Sequence, residues 1–360
     1  MKRKKIHLIV QIPSYNEAQT IGSVIREIPR AIPGVDRVKI LVVDDGSSDG
    51  TGDIARAAGA DIVVRHRRNR GLAAALQTGF DVALRLGADL IINLDADGQY
   101  DPSEIPQLIA PILQGEADIV IGDRQVAQLA HFPRHKRWLS VLGSTIVRWA
   151  SGLAIPDATS GFRAYSREAA LRLFVLTDFS YTIEHLIQAG KRRLAVIHVP
   201  IRARPTPRPS RLHQGIWSFI KRQGATLIRV YASYEPMRAF FYLSAPFWII
   251  GLALFLRLGW LFVAGGFALY GHLQSLIVAT LSITLAFLIS LFGLLADRIK
   301  DNRMLLEEIL YHLRELEIRY NRIITLSNKE DQLGGFTKYQ IEIRQEGRAP
   351  TAKGERDDMD

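Results

Sequence analysis

Two aspartates separated by one residue, Asp95-Ala96-Asp97, follow the apolar run Leu90–Leu94. A buried strand that ends there and bends into a loop turns both carboxylates toward one crevice. Such a pair is a hard oxygen site suited to Mg2+ or Mn2+, and a cation held this way can take a diphosphate. It would then stabilise the charge that builds on a departing nucleoside diphosphate. Taken alone, the pair fits a polar turn equally well, with Asp97-Gly98 as its ending.

Two other polar clusters stand at comparable places. Asp44-Asp45-Gly46-Ser47-Ser48-Asp49-Gly50-Thr51 begins where the run Lys39–Val43 ends. Ser48 or Asp49 can cap the helix that follows, but capping does not require acids at both Asp44 and Asp45. A carboxylate there can accept from a base N–H or a ribose hydroxyl. Pro13-Ser14-Tyr15-Asn16-Glu17 follows Ile6–Ile12. A simple turn accounts for Pro13 and Asn16 and leaves Tyr15 and Glu17 to chance.

The elements that must carry these clusters are legible as periodicity. Ile6–Ile12, Lys39–Val43, Asp61–Val64, Leu90–Leu94 and Asp118–Ile121 read as buried strands, and Ala18–Ile28, Thr51–Ala58, Gly71–Leu86 and Glu104–Gln114 as amphipathic helices between them. This alternation predicts an α/β fold with a parallel, doubly wound sheet. Ligands of such sheets bind at the carboxyl ends of the strands, where all three clusters fall.

The second half has a different composition. Ala239–Leu256 and Leu273–Ala296 carry no charged residue, and roughly 20 apolar residues cross the ~30 Å hydrocarbon core. Two spans with a turn near Gly265–Gly271 fit best, leaving Arg257 near the far interface. The net charge is +10. Arg202, Arg204, Arg208, Arg211, Lys221, Arg222 and Arg229 precede the first run, and Arg298, Lys300 and Arg303 follow the second. That placement points to a cytoplasmic membrane face and not to nucleic acid. Segments 134–153 and 212–234 mix basic and aromatic residues as interfacial helices do; 134–153 fits an amphipathic helix packed on the sheet equally well, whereas 212–234, directly ahead of the first apolar run, fits the interface. No cysteine is present, which excludes disulfides and thiolate chemistry.

Pro13-x-Tyr15-Asn16-Glu17, Val43-Asp44-Asp45-Gly46-Ser47-x-Asp49-Gly50-Thr51, Asn69-x-Gly71, Asp95-x-Asp97-x-Gln99-x-Asp101-Pro102 and Ile121-Gly122-x-Arg124 occur in this order. The set resembles family 2 glycosyltransferases with the Rossmann-like GT-A fold, in the branch similar to dolichol-phosphate mannose synthase and bacterial polyprenyl-phosphate glycosyltransferases. The resemblance covers about 6–212, and the two apolar runs resemble the bacterial members' anchors. It implies a catalytic domain over 1–211, juxtamembrane helices over 212–238, two spans over 239–297, a cytoplasmic amphipathic helix over 298–325 and a polar, disordered tail over 326–360.

The resemblance also assigns residues. Pro13, Tyr15, Glu17, Asp44 and Asp45 line the nucleoside pocket, and Asp95, Ala96 and Asp97 meet the diphosphate. Asp95 and Asp97 hold Mg2+ or Mn2+, with Gln99 nearby. Arg124 faces donor or acceptor phosphate. Asp157, in Asp157-Ala158-Thr159-Ser160-Gly161-Phe162-Arg163, matches an acid near the reacting centre, with Arg163 as its support; its role is either a base or a group that orients Arg163, and a phosphate acceptor favours the second. Arg208-Pro209-Ser210-Arg211-Leu212 resembles a basic loop that closes over phosphates, although many relatives have Gly and Lys where this chain has Pro209 and Arg211.

The expected reaction is inverting displacement of a UDP- or GDP-sugar's diphosphate by a polyprenyl phosphate. A sugar hydroxyl needs a general base, whereas a phosphate monoester is largely a dianion at neutral pH, its second pKa being ~6. Arginines bind such a group bidentately, and Arg124, Arg208 and Arg211 are the candidates. A neutral glycolipid acceptor, such as diacylglycerol, is the alternative, and a non-catalytic membrane scaffold the alternative of another class. A processive synthase is disfavoured: Arg137-Trp138 and Arg148-Trp149 both precede Asp157 and lack Gln three residues before Arg. Relatives that assemble through membrane segments make a homo-oligomer compatible with this reading.

Overall fold

The computed structural model describes residues 5–125, 144–145, 147–148, 151–175, 181–204, 234–264, 269–327 and 340–343. Its first half follows the sequence periodicity closely. Strands β1 (His7–Ser14), β2 (Arg37–Asp44), β3 (Ile62–Arg65), β4 (Leu90–Asn93) and β5 (Ile119–Asp123) alternate with helices α1 (Ile21–Glu27), α2 (Thr51–Ala57), α3 (Leu72–Arg85) and α4 (Ile105–Leu113). After them come β6 (Arg163–Ser166), α5 (Arg167–Arg172), α6 (Tyr181–Lys191), β7 (Val196–Pro200), the long helices α7 (Pro236–Val263) and α8 (Leu269–Ser327), and β8 (Gln340–Ile343).

The strands form one sheet in the order β7-β5-β6-β4-β1-β2-β3-β8. It is mixed, where the alternation predicts a parallel one: β6 runs antiparallel to β4 and β5, and β8 antiparallel to β3. The reversal has a consequence for the site. β6 begins opposite the end of β4, with Arg163 facing Asn93. The chain before it, 157–161, is thereby delivered to the sheet's carboxyl edge. β1 lies between β2 and β4 although the chain visits β2 and β3 first, so the strand order switches direction beside β1. A crevice opens at such a switch.

Alternate residues of the strands enter two cores, as a period of two requires. Ile9, Leu41, Val43, Ile62 and Ile91 join residues of α3, α5 and α6 on one face. Leu8, Val10, Ile12, Ile40 and Ile92 join residues of α1, α2 and α4 on the other.

α7 and α8 are long and apolar enough to cross a membrane, by length and composition. They pack closely through small residues. A Cβ on Gly251 would lie 2.5 Å from Ile283 Cγ1, and one on Gly293 2.7 Å from Phe240 Cβ. Trp248 Nε1 donates to Ser290 Oγ (3.3 Å), and Ser290 in turn to Ser244 Oγ (3.2 Å).

Two differences from expectation concern α8 and the tail. The second span and the amphipathic helix expected over 298–325 are one uninterrupted helix of 59 residues. No Gly or Pro occurs from Leu294 to Ser327, so nothing in that stretch ends the helix. Its outer half docks on the sheet-bearing domain. Tyr311 and Ile318 are buried in the same core as Val82 and Leu84, Arg314 pairs with Asp81 (3.0 Å) and Arg192 with Glu307 (2.6 Å). The tail expected to be disordered over 326–360 supplies β8, whose Gln-Ile-Glu-Ile alternation suits an edge strand. Segment 212–233 and most of 134–153 lie outside the described residues.

Candidate active site

The loops after β1 and β2 brace each other. Ser47 Oγ accepts from Asn16 N (2.9 Å), Asn16 Oδ1 from Ser48 N (3.0 Å), and Thr51 Oγ1 from Glu17 N (2.8 Å). Asn16 pays a modest strain for this, with φ at 53°. Pro13 is buried at the end of β1, and Tyr15 stands out with 41% of its surface exposed. Asp44 and Asp45 are both buried and both engaged internally. Asp44 accepts from Arg65 Nε (2.9 Å) and Ser47 N (2.9 Å). Asp45 takes the backbone N–H of Arg70 (2.9 Å) and Gly71 (2.8 Å) and pairs with His66 Nδ1 (2.6 Å). Gly46 makes that approach feasible. Its φ is +74°, and a Cβ would lie 2.6 Å from the Arg68 carbonyl carbon.

Asp95 and Asp97 follow β4 at the carboxyl edge. Asp97 Oδ1 accepts from Gln99 N (3.0 Å), so Gln99 contributes its main chain to the turn. Asp95 lies against Gly161, where an added Cβ would be 2.5 Å from Asp95 Oδ2. Gly161 is itself fixed from two sides: its N–H donates to Tyr100 Oη (2.9 Å) and its carbonyl accepts from Asn93 Nδ2 (2.8 Å). Burial, and then the nearby Asp97, push the Asp95 carboxyl up to about 7 against the pull of Arg124 and Arg163. Asp95 keeps part of its surface exposed.

Arg124, just past β5, grips Asp157 at two points. Its Nε donates to Oδ2 (2.7 Å) and its Nη2 to Oδ1 (3.0 Å), while Nη2 also reaches Thr159 Oγ1 (2.8 Å). Burial raises the Asp157 pKa, but Arg124 outweighs it and holds this carboxyl below its ordinary value. Among the described residues no hydrogen bond joins Arg163 to Asp157. Arg163 is wholly buried and donates to the carbonyls of Ser160 (2.8 Å), Thr182 (2.9 Å) and Ala158 (2.8 Å). The side chain that pairs with Asp157 is Arg124, and Arg163 acts on the acid indirectly, by bracing the loop that carries it. A buried guanidinium with carbonyl acceptors on three sides is a strut.

Sequence reasoning singled out neither Asn93, Tyr100 nor Gly161 as site residues. Asn93 was detectable as a polar residue ending an apolar strand. It also receives Gln11 Nε2 (3.2 Å) and donates to Tyr181 Oη (3.0 Å). After the Asp97 turn, Arg204 N donates to Gln99 O (2.8 Å), and Tyr100 bridges Ala203. Arg208, Ser210 and Arg211 lie outside the described residues.

Two carboxylates suit a cation that completes its shell with water and substrate phosphate. Among the described residues no group of three His, Cys, Asp or Glu side chains converges. The raised Asp95 pKa reflects burial first and the nearby Asp97 second.

Residues 9–174 match the profile described as "Glycosyl transferase family 2". The polyprenol monophosphomannose synthase of Mycolicibacterium smegmatis is 36% identical over 204 residues, with 54% of this chain and 76% of that protein covered. The undecaprenyl-phosphate mannosyltransferase of Micrococcus luteus is 32% identical over 207 residues, with 54% and 83% covered. Among solved structures, a glucosyl-3-phosphoglycerate synthase from Mycobacterium tuberculosis, in complex with Mn2+, uridine diphosphate and glucosyl-3-phosphoglycerate, is similar at 25% identity. Its TM-score is 0.48, with 63% of this chain and 79% of that one covered. The match to the family model and the two curated relatives, each more than 30% identical and covered over three quarters or more of its own length, show that the chain belongs to glycosyl transferase family 2.

Proposed function

We propose that this chain is an inverting, metal-dependent hexosyltransferase that moves a hexose from a UDP- or GDP-sugar to a polyprenyl phosphate at the cytoplasmic membrane face. The observation that carries the reading is the two-point grip of Arg124 on Asp157. An acid held this way, with its pKa lowered, is poorly placed to take a proton. A phosphate dianion needs no base. Its oxygen attacks the anomeric carbon opposite the leaving diphosphate; the new carbon–oxygen bond forms, the old one breaks, and the nucleoside diphosphate leaves with the bonding pair. Arg124, with Arg208 and Arg211, balances charge on the phosphates.

In this reading the loops carrying Pro13, Tyr15, Glu17, Asp44 and Asp45 form the nucleoside pocket, with Asp44 and Asp45 shaping it from beneath. Asp95 and Asp97 would hold the cation, with Gln99 beside them. When bound, that cation supplies charge stabilisation to the leaving group. The names of the two relatives, both acting on polyprenyl carriers, support the acceptor class, and the apolar helices followed by Arg298, Lys300 and Arg303 support the location.

The test offers the full-length protein a panel of labelled UDP- and GDP-sugars with polyprenyl phosphate and Mg2+ or Mn2+. Lipid-extractable label released by mild acid is the expected product. Turnover undiminished in excess EDTA would remove the metal from the account, and transfer to diacylglycerol but not to polyprenyl phosphate would replace the acceptor.

A further inference from the structure

After β7 the chain crosses from the end of β5 to the turn that follows β4, and residues 201–204 are fixed at every step. Ile201 N donates to Asp123 O (2.9 Å), and its side chain fills the space beside Gly122, where an added Cβ would lie 2.7 Å from Ile201 Cδ1. Arg202 N donates to Glu104 Oε2 (2.9 Å), Ala203 bridges Tyr100, and Arg204 N donates to Gln99 O (2.8 Å). Arg204 then closes the strip with both arms of its guanidinium. Nη1 donates to Glu27 Oε2 (2.6 Å), and Nη2 lies 3.0 Å from Asp101 Oδ2. Both partners are fixed points. Glu27 ends α1, which is anchored through Ile21, Val24 and Ile25, and Asp101 Oδ1 takes the Ser103 N–H (3.0 Å) and hydroxyl (2.7 Å).

The turn passes these ties on to the paired acids. Gln99 accepts from Arg204 through its carbonyl and donates through its own N–H to Asp97 Oδ1 (3.0 Å). Tyr100, the next residue, is buried; its hydroxyl accepts the Gly161 N–H (2.9 Å), and Gly161 lies against Asp95. One strip outside the turn therefore reaches both carboxylates. We propose that Arg204 is a positioning residue for the cation, holding the 97–101 turn so that Asp95 and Asp97 present their oxygens together. This rests on the reading of those two acids as the cation's ligands. Charge alone gives the opposite sign. A guanidinium near a cation site repels the ion, so removing it should tighten binding. A tie that sets geometry loosens binding when it is cut. Exposed ion pairs add little to folding, and Arg204 and Glu27 are each 42% exposed, so loss of the clamp should be read in the ion and not in the fold.

Mn2+ titration of the full-length protein in nanodiscs, followed by electron paramagnetic resonance without donor or acceptor, separates the two signs. Arg204→Gln is expected to weaken Mn2+ binding about tenfold, the lower end for disturbing a ligand's support. Its melting temperature should stay within about 2 °C of the unaltered protein's. Arg202→Gln removes the same charge two positions earlier, from a side chain 86% exposed and 3.9 Å from Glu104 Oε1. Its Mn2+ affinity should stay within about twofold, because an exposed charge is largely screened. An affinity unchanged or raised in Arg204→Gln, or an equal loss in Arg202→Gln, overturns the proposal and leaves the cation site standing. A melting temperature lowered by more than about 5 °C does the same, since it would make Arg204 a prop of the fold. Absence of Mn2+ binding by the unaltered protein overturns the proposal together with the reading of Asp95 and Asp97 on which it rests.

Discussion

Asp95 and Asp97 differ in what surrounds them, and the difference can be tested. Asp97 Oδ1 takes the Gln99 N–H, so Asp97→Asn removes charge while the turn keeps an acceptor. We expect sugar transfer to fall on the order of 10²–10³-fold, comparable to loss of one electrostatic stabiliser, with an unchanged far-UV circular dichroism spectrum. Full activity in that variant would dismiss the carboxylate from the chemistry. Gly161→Ala asks a subtler question. Its φ lies outside the left-handed region, so the backbone tolerates alanine, yet the new Cβ would press on Asp95 Oδ2. Displacing that carboxylate should weaken Mn2+ binding about 10- to 100-fold, the usual effect of disturbing a ligand's support. Mn2+ titration by electron paramagnetic resonance measures it, and an unaltered affinity would mean that Asp95 does not bind the ion. Asp95 and Asp97 could be named from the sequence because acids after an apolar strand stand out. Gly161 could not: its neighbour across the crevice is 66 positions away in the numbering, and only the folded chain brings the two together.

The strands and helices of the first half were legible because each is decided by its own periodicity. Where the structure departs, the deciding interaction is distant. β6 reads as a short polar segment, and its antiparallel place between β4 and β5 is set by the return of the chain across the crevice edge. The docking of α8 is equally hidden in sequence, since Tyr311 and Ile318 look like residues of any amphipathic helix. In the fold Tyr311 Oη donates to Glu168 (3.1 Å), with the Arg172 guanidinium 4.6 Å above its ring. Tyr311→Ala should therefore lower the stability of the catalytic domain by about 2–4 kcal/mol, the range for removing a large buried side chain. Differential scanning fluorimetry would register a lower melting temperature, while Glu308→Ala on the exposed side should leave it in place. Equal melting for both would show that the outer half of α8 is not docked.

Across the molecule, the division between a patterned catalytic half and apolar helices was plain from where the charges lie, whereas the way one half grips the other was not. Beneath the site the same fold holds a titratable group that the proposed chemistry does not use. His185, in α6, is buried against Phe80, Tyr165 and Tyr181, with Nδ1 3.2 Å from the Tyr165 hydroxyl. Burial, reinforced by the Arg163 charge, drives its pKa down to about 3. An unfolded chain returns this imidazole to an ordinary value of ~6.5. Between those values the unfolded state binds the extra proton, so stability is complete above about pH 6.5 and is lost as pH falls toward 3, at ~1.4 kcal/mol per pH unit. Going from pH 7 to pH 5 should thus cost about 2 kcal/mol through this residue. His185→Gln keeps a polar partner for Tyr165 and cannot titrate. Denaturant unfolding of the catalytic domain at the two pH values should therefore show a smaller difference in the variant, by about that amount. Identical pH dependence in both proteins would mean that His185 is protonated or hydrated in the native fold, and that the aromatic cluster beneath the crevice is less dry than its packing requires.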